Sequence, residues 1–172
     1  MKNNKLKILI AATEVTPIAK VGGLGDVVGA LPKALAKLNL DARVIIPFYG
    51  AIDRKKYKIK LVKKNIKIGN VAMNLWQTNL PASPARLAGG SPRRTKRGEL
   101  NSTVPVYLIE HELFKGQEIY STAHADGPAD TKKYIFFSRA ILESARAVNF
   151  APDIIHLNDW PTAAVAALLK TD

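Results

Sequence analysis

The order of elements in residues 7–47 constrains the fold more than any other feature of this chain. Residues 7–12 (KILIAA) are a short apolar run rich in branched side chains, the pattern of a strand buried on both faces of a parallel sheet. A glycine-rich loop follows. Residues 26–38 (DVVGALPKALAKL) then place Val27, Leu31, Leu35 and Leu38 at helical spacing, which predicts an amphipathic helix with those four side chains inward. Pro32 falls inside the pattern and predicts a kink or a late start. Residues 42–47 (ARVIIP) make a second buried strand. Strand, loop, helix and strand form a βαβ unit, whose right-handed crossover calls for a Rossmann-like parallel sheet with flanking helices.

The later segments extend this α/β pattern. Residues 58–67 alternate lysines with Ile59, Leu61 and Ile66, which suits an edge strand whose charges discourage pairing with another chain. Residues 71–77 and 104–109 read as two further strands. Between them, residues 82–101 (ASPARLAGGSPRRTKRGELN) lack any period and predict a basic loop insertion. Residues 130–149 make a long helix with Tyr134, Phe137, Ile141, Ala145 and Val148 on one face. Residues 153–157 (DIIHL) form another strand, in which His156 is expected to be a satisfied core histidine. A helix opens at Pro161, a favoured first-turn position. A further strand would normally follow such a helix, so the sheet is expected to be interrupted and to expose an unpaired edge.

Size and composition exclude several function classes. A chain of 172 residues suits one domain, and the absence of cysteine removes disulfides, thiolate metal sites and a cysteine nucleophile. The first residues are polar and basic, and the apolar run behind them is too short for a signal-peptide core. No stretch approaches the 18 or more apolar residues of a membrane span. A soluble, cytoplasmic protein is expected. The net charge of +12 attracts nucleic acid, anionic lipid or phosphorylated small molecules without choosing among them. Its clusters, at residues 54–67 and 86–97, do not interleave aromatics as a base-stacking platform would. A solvated basic face is therefore favoured over nucleic-acid binding.

The glycine loop is the part most suited to chemistry. Lys20, Gly22, Gly23, Gly25 and Asp26 lie between the first strand and its helix. Glycines there permit positive φ and close approach of a ligand, while the helix start offers N–H groups and a positive dipole end. Lys20 adds a point charge able to reach phosphate. A dinucleotide fold would want G-x-G-x-x-G, but Gly23, Gly25 and Gly29 give G-x-G-x-x-x-G, one residue too long. A plain tight turn, with Lys20 as an ordinary surface lysine, is the simplest competing reading.

These residues resemble a known family. Thr13-Glu14-Val15-Thr16-Pro17, Lys20-Val21-Gly22-Gly23-Leu24-Gly25-Asp26-Val27 and Gly29-Ala30-Leu31-Pro32-Lys33-Ala34-Leu35 are similar to the N-terminal signature of bacterial and plant glycogen (starch) synthases. Residues 41–47, 105–109 and 152–160 (PDIIHLNDW) match later motifs of that family in the expected order. The resemblance implies the N-terminal half of a two-domain GT-B glycosyltransferase. Such enzymes move glucose from ADP-glucose to the non-reducing end of an α-1,4-glucan with retention, and no cofactor or metal is implied.

By the same resemblance Lys20 would contact the donor phosphates, and Gly22 and Gly23 would let the loop press against donor and glucose. Asp26 would either cap backbone N–H groups or touch ligand. Asn158, Asp159 and Trp160 would line the cleft near the sugar, with core packing an equal reading for Trp160. Glu14 and Thr16 would order the loop or the cleft. No complete catalytic set is expected in residues 1–172, because the family's cleft histidine and its donor-gripping Arg, Lys and carboxylate lie beyond them, the latter in a C-terminal nucleotide-sugar domain. His111, His124 and His156 are not expected to substitute.

Three features depart from the family pattern. Pro161 stands where the family often has His, residues 129–134 (ADTKKY) are a degraded form of the Asp-Asn-x-x-Arg-Phe stretch, and the basic insertion is unusual. Two other readings stay open: a stand-alone module that holds a nucleotide sugar or a glucan end without chemistry, and a basic nucleic-acid-associated domain.

Overall fold

The computed structural model describes residues 5–80, 103–116, 118–120 and 128–171. The insertion expected at residues 82–101 and His124 lie outside the described residues. Six strands form one sheet: β1 (Lys7–Ala11), β2 (Asp41–Pro47), β3 (Lys60–Ile68), β4 (Val71–Asn79), β5 (Pro105–Glu110) and β6 (Ile154–Leu157), in the spatial order β3-β4-β5-β2-β1-β6. The helices are α1 (Gly23–Lys37), α2 (Pro128–Ala147) and α3 (Trp160–Leu168), with a short 3-10 turn at Glu112–Phe114.

The sheet is mixed rather than parallel throughout. Strands β5, β2, β1 and β6 run parallel, whereas β3 and β4 form an antiparallel pair added to β5. The reason is local. Only Gly69 and Asn70 separate β3 from β4, with Gly69 at φ 57, and so short a link can join antiparallel strands only. As the lysine pattern predicts, β3 is an edge strand.

Helix α1 begins at Gly23, three residues before the expected start, and Pro32 lies within it. Its buried side is Gly25, Val28, Gly29 and Pro32, while Val27 and Leu38 are 54% and 71% exposed. The face is thus rotated by one position from the leucine spacing. Small residues win this face because the strand-to-helix loop packs directly on it: a Cβ at Gly29 would lie 2.8 Å from the Thr16 carbonyl oxygen. Helices α1 and α2 are each followed by an asparagine in the left-handed region, Asn39 at φ 64 and Asn149 at φ 51, a common way to stop a helix.

One buried apolar cluster runs through the central strands and takes in side chains of both α1 and α2. Leu9, Ile10, Val44, Ile45, Ile46, Leu108 and Ile109 are 0–1% exposed, and Phe137 and Ile141 of α2 are fully buried. At about 1.5–3 kcal/mol for each such side chain, against about 0–1 kcal/mol for a surface ion pair, apolar burial fixes the frame on which the polar edge stands. At the far edge β6 pairs with β1 alone, and Ile154 and His156 lie on an exposed face. His156 is therefore no core histidine: an edge strand leaves one alternate set of side chains in solvent. No helix among the described residues is long and apolar enough to cross a membrane.

Candidate functional site

Four parallel strands end on one edge of the sheet, the side on which open α/β sheets place their ligands. The chain leaving β1 carries Thr13, Glu14 and Thr16, and the chain leaving β6 carries Asn158, Asp159 and Trp160. Asn158 ties the two together, since its backbone N–H and its Nδ2 both donate to the Ala11 carbonyl, at 3.1 and 3.0 Å. The motif residues from the two ends of the chain thus share one edge.

Glu14 is 3% exposed, and its Oε2 accepts from the backbone N–H groups of Val21 and Gly22 at 2.7 and 2.8 Å. The glycine loop is held from below by this carboxylate. Thr16 adds a backbone bond to the Gly25 carbonyl at 2.9 Å. Its hydroxyl donates to Asp26 Oδ1 at 3.1 Å, and Lys20 Nζ donates to both Asp26 oxygens at 2.7 Å. Lys20, with help from Thr16, holds the Asp26 carboxyl below its ordinary value of 3.8.

Two expectations about this loop are corrected by the geometry. Asp26 does not cap α1: the helix starts from Gly22, which makes no side-chain cap bond, and the Asp26 carboxylate is taken by Lys20 and Thr16. Nor do the loop glycines serve positive φ. Gly69 is the only described glycine in that region, and Gly22 is extended at φ −132, ψ −165. Their value lies in space. A Cβ at Gly25 would meet Lys20 Cγ at 3.1 Å and both Glu14 Oε2 and Thr16 Oγ1 at 3.3 Å. At Gly23 nothing lies within 4 Å, and at Gly22 only Glu14 Oε1 at 3.9 Å, so this stretch presents open backbone.

The β6 side of the edge is more strained. Asp159 adopts φ 63, ψ 172, a region that is nearly glycine-only, and its Oδ1 accepts from the Trp160 N–H at 2.7 Å at the start of α3. Trp160 is 40% exposed and stands edge-on to Tyr134, with ring centroids 5.2 Å apart. Pro161 is buried in the first turn of α3.

A tyrosine lies between the two sides, and the sequence analysis did not single it out. Tyr120 Oη and Thr13 Oγ1 are 2.9 Å apart. Burial pushes the Tyr120 hydroxyl up, the Thr13 bond opposes this, and the carboxylates of Glu14, Asp159 and Asp130 add to the rise. Tyr134 Oη and Lys133 Nζ both donate to the Ile119 carbonyl and anchor Tyr120 in place. The signal available in the sequence was Thr13 directly behind a buried strand, but its partner is 107 residues away.

The fold and this edge define a Rossmann-like α/β domain that presents open glycine backbone, a lysine and a strained aspartate on its ligand-facing side. A family model described as the starch synthase catalytic domain matches residues 7–172, and the chain belongs to that family. It is 38% identical over 172 residues to a glycogen synthase of Geotalea daltonii and 35% identical over 170 residues to one of Clostridium beijerinckii. These alignments cover 97% and 96% of this chain but only 31% and 30% of those relatives. Among solved structures it resembles the catalytic domain of starch synthase IV from Arabidopsis thaliana bound to ADP and acarbose. There the TM-score is 0.73 at 27% identity, covering 97% of this chain and 30% of that one.

Proposed function

We propose that the chain is the N-terminal part of a glycogen or starch synthase, which transfers glucose from ADP-glucose to the non-reducing end of an α-1,4-glucan with retention. The observation that carries this reading is the open backbone at Gly22 and Gly23 beside Lys20, in a chain of the starch synthase family. Lys20 is the group that meets the donor diphosphate. Charge grows on that leaving group as the glycosidic bond breaks, and a cation fixed beside it stabilises the transition state more than the ground state. Gly22 and Gly23 admit the donor against the main chain. Asp159 and Trp160 face the sugar across the edge, and Glu14 and Thr16 hold the loop in shape.

In this reading the reaction needs no metal or cofactor. The remaining donor-gripping groups come from a C-terminal nucleotide-sugar domain, and the protein works in the cytoplasm. With one wall of the cleft, water is not excluded and the electrostatic contributions are screened. Residues 1–172 alone are expected to bind donor weakly and to transfer no glucose.

The test is a titration of the 172-residue chain with ADP-glucose, followed by backbone amide shifts. Perturbation centred on Lys20, Gly22 and Gly23, with affinity reduced about tenfold in Lys20→Ala, as for loss of one charge-assisted phosphate contact, supports the reading. Unperturbed loop amides, or an unchanged affinity in that variant, would overturn it. Steep loss of all binding with salt, shared by unrelated nucleic acids, would favour a polyanion-binding domain instead.

A further inference from the structure

Residues 48–59 join β2 to β3 and are fixed to the sheet at several points. The Phe48 N–H donates to the Ile109 carbonyl at 2.8 Å, and Ile52 and Ile59 are buried. The Arg54 guanidinium lies 4.8 Å from the Phe48 ring centroid and 4.2 Å from that of Trp76, and its Nη2 donates to Glu110 at the end of β5. Glu110 is itself held, since its Oε2 accepts from Trp76 Nε1 at 2.8 Å and from Asn74 Nδ2 at 2.9 Å. Asp53 Oδ1 accepts from the N–H groups of Lys55 and Lys56, which closes the turn before Tyr57. This connection is a post standing on the antiparallel extension of the sheet.

Tyr57 is bonded at both ends. Thr78 Oγ1 of β4 donates to its carbonyl, and its own hydroxyl donates to the carbonyl of Pro17, 40 residues earlier. Pro17 lies at the tip of the turn that follows β1. Val15 and Ala19 close that turn by exchanging two N–H···O bonds, at 2.8 and 3.0 Å, and Lys20 follows directly. The other hydrogen bonds of residues 15–22 come from within residues 13–29, from Glu14 below and from Gly25 and Asp26 of α1 beside. Among the described residues Tyr57 is the one group from the rest of the chain that hydrogen-bonds to residues 15–22.

We propose that Tyr57 is a positioning residue for the donor lysine, a role that rests on the reading of Lys20 given above. Stability alone does not account for its bond. The inward side of the turn is already fixed, with Val15, Ile18 and Ala19 buried, while Pro17 is exposed. Water would satisfy the Pro17 carbonyl if the hydroxyl were removed, so little stability depends on it. What the hydroxyl sets is where the outer side of the turn stands relative to the sheet, and hence where Lys20 begins. A cation that meets a diphosphate through charge-assisted bonds loses binding steeply when its base is displaced.

The experiment compares the 172-residue chain with Tyr57→Phe, which keeps the ring and its approach to Lys56 Nζ at 5.1 Å and removes only the hydroxyl. Urea melts should give the same midpoint for both. Without ligand, the amide signals of residues 18–22 should shift in the variant. ADP-glucose should bind it about fivefold more weakly, the lower range for coupling between sites. In a Lys20→Ala background the same substitution should leave the affinity unchanged, because the effect passes through that lysine. Unmoved amides at residues 18–22, an equal loss in both backgrounds, or a lower midpoint with unaltered affinity would each overturn the proposal. No binding of ADP-glucose by the parent would instead overturn the donor reading itself, and the ligand-free shifts would then decide the tether alone.

Discussion

Lys20 Nζ sits 2.7 Å from both carboxylate oxygens of Asp26, so the cation assigned to the donor is engaged by a carboxylate four residues into helix α1. A diphosphate must share or displace Asp26 to reach it. Asp26→Asn is therefore expected to tighten ADP-glucose binding by several-fold, with Lys20 retained as the contact. Isothermal titration of the two proteins at equal salt measures this. Weaker binding in the variant would mean that Asp26 orients the lysine toward the ligand rather than competing for it. The pair also sets an acid limit. The Asp26 pKa is lowered by Lys20, so the ion pair is intact at neutral pH and is lost as pH falls through that depressed value.

Glu14 holds two loop N–H groups from a nearly sealed position. Glu14→Ala leaves both unsatisfied and should destabilise the chain by about 2–3 kcal/mol. Glu14→Gln keeps an acceptor oxygen and should recover most of that loss. Urea melts of the three proteins decide it. Equal losses in the two variants would show that the negative charge, not the acceptor, holds the loop.

Gly29 and Gly23 make a matched pair. Alanine at Gly29 would place Cβ 2.8 Å from a backbone oxygen, a clash that neither side relieves cheaply, and about 1–3 kcal/mol should be lost. Alanine at Gly23 meets nothing within 4 Å and should leave the melting temperature unchanged. The same substitution should still weaken ADP-glucose binding, because the added methyl fills the open approach. Stability unaltered in both variants would remove the packing argument for the glycine loop.

Asp159 stores backbone strain of about 1–3 kcal/mol, which glycine would not incur. Its carboxylate returns about 1 kcal/mol through the bond to Trp160. Asp159→Gly is therefore expected to be no less stable than the parent in thermal melts, while losing the carboxylate proposed to face the sugar. A loss of more than about 1 kcal/mol would show that the cap bond outweighs the strain.

His111 gives a pH signature. Burial lowers its pKa from the ordinary 6.5, and Nδ1 accepts from the Leu113 N–H at 3.3 Å while the ring stacks on Phe136. A histidine whose folded pKa is depressed binds its proton more readily when unfolded. Stability is therefore full above pH 6.5 and falls as pH drops through 6.5 toward the folded value. An NMR titration should place His111 below 6.5, and His111→Asn should flatten the decline in melting temperature between about pH 7 and 5, the span in which an ordinary histidine titrates.

The parallel frame was readable because each of its strands is a closed statement about burial. In KILIA and VIIP the branched apolar side chains allow little other than a strand covered on both faces. The long helix was equally plain, since Tyr134, Phe137, Ile141 and Ala145 fall on the buried stripe that their spacing predicts. The inward face of α1 was not readable, because Gly25 and Gly29 are chosen by what crosses them, not by their own hydrophobicity. His156 misled for the complementary reason: an apolar neighbourhood in sequence does not say whether a strand is central or at an edge.

By itself the sequence determined the order of elements, the family signature and the identity of the loop residues, because hydrophobic period, glycine placement and motif spacing are properties of neighbouring positions. Tertiary structure alone decided which partners those residues take. Lys20 meets Asp26, Glu14 meets the loop N–H groups, and Thr13 meets Tyr120 across 107 residues. Contacts of that kind depend on how strands stack and where a helix crosses the sheet, and distances set by packing have no counterpart in the spacing of letters along a chain.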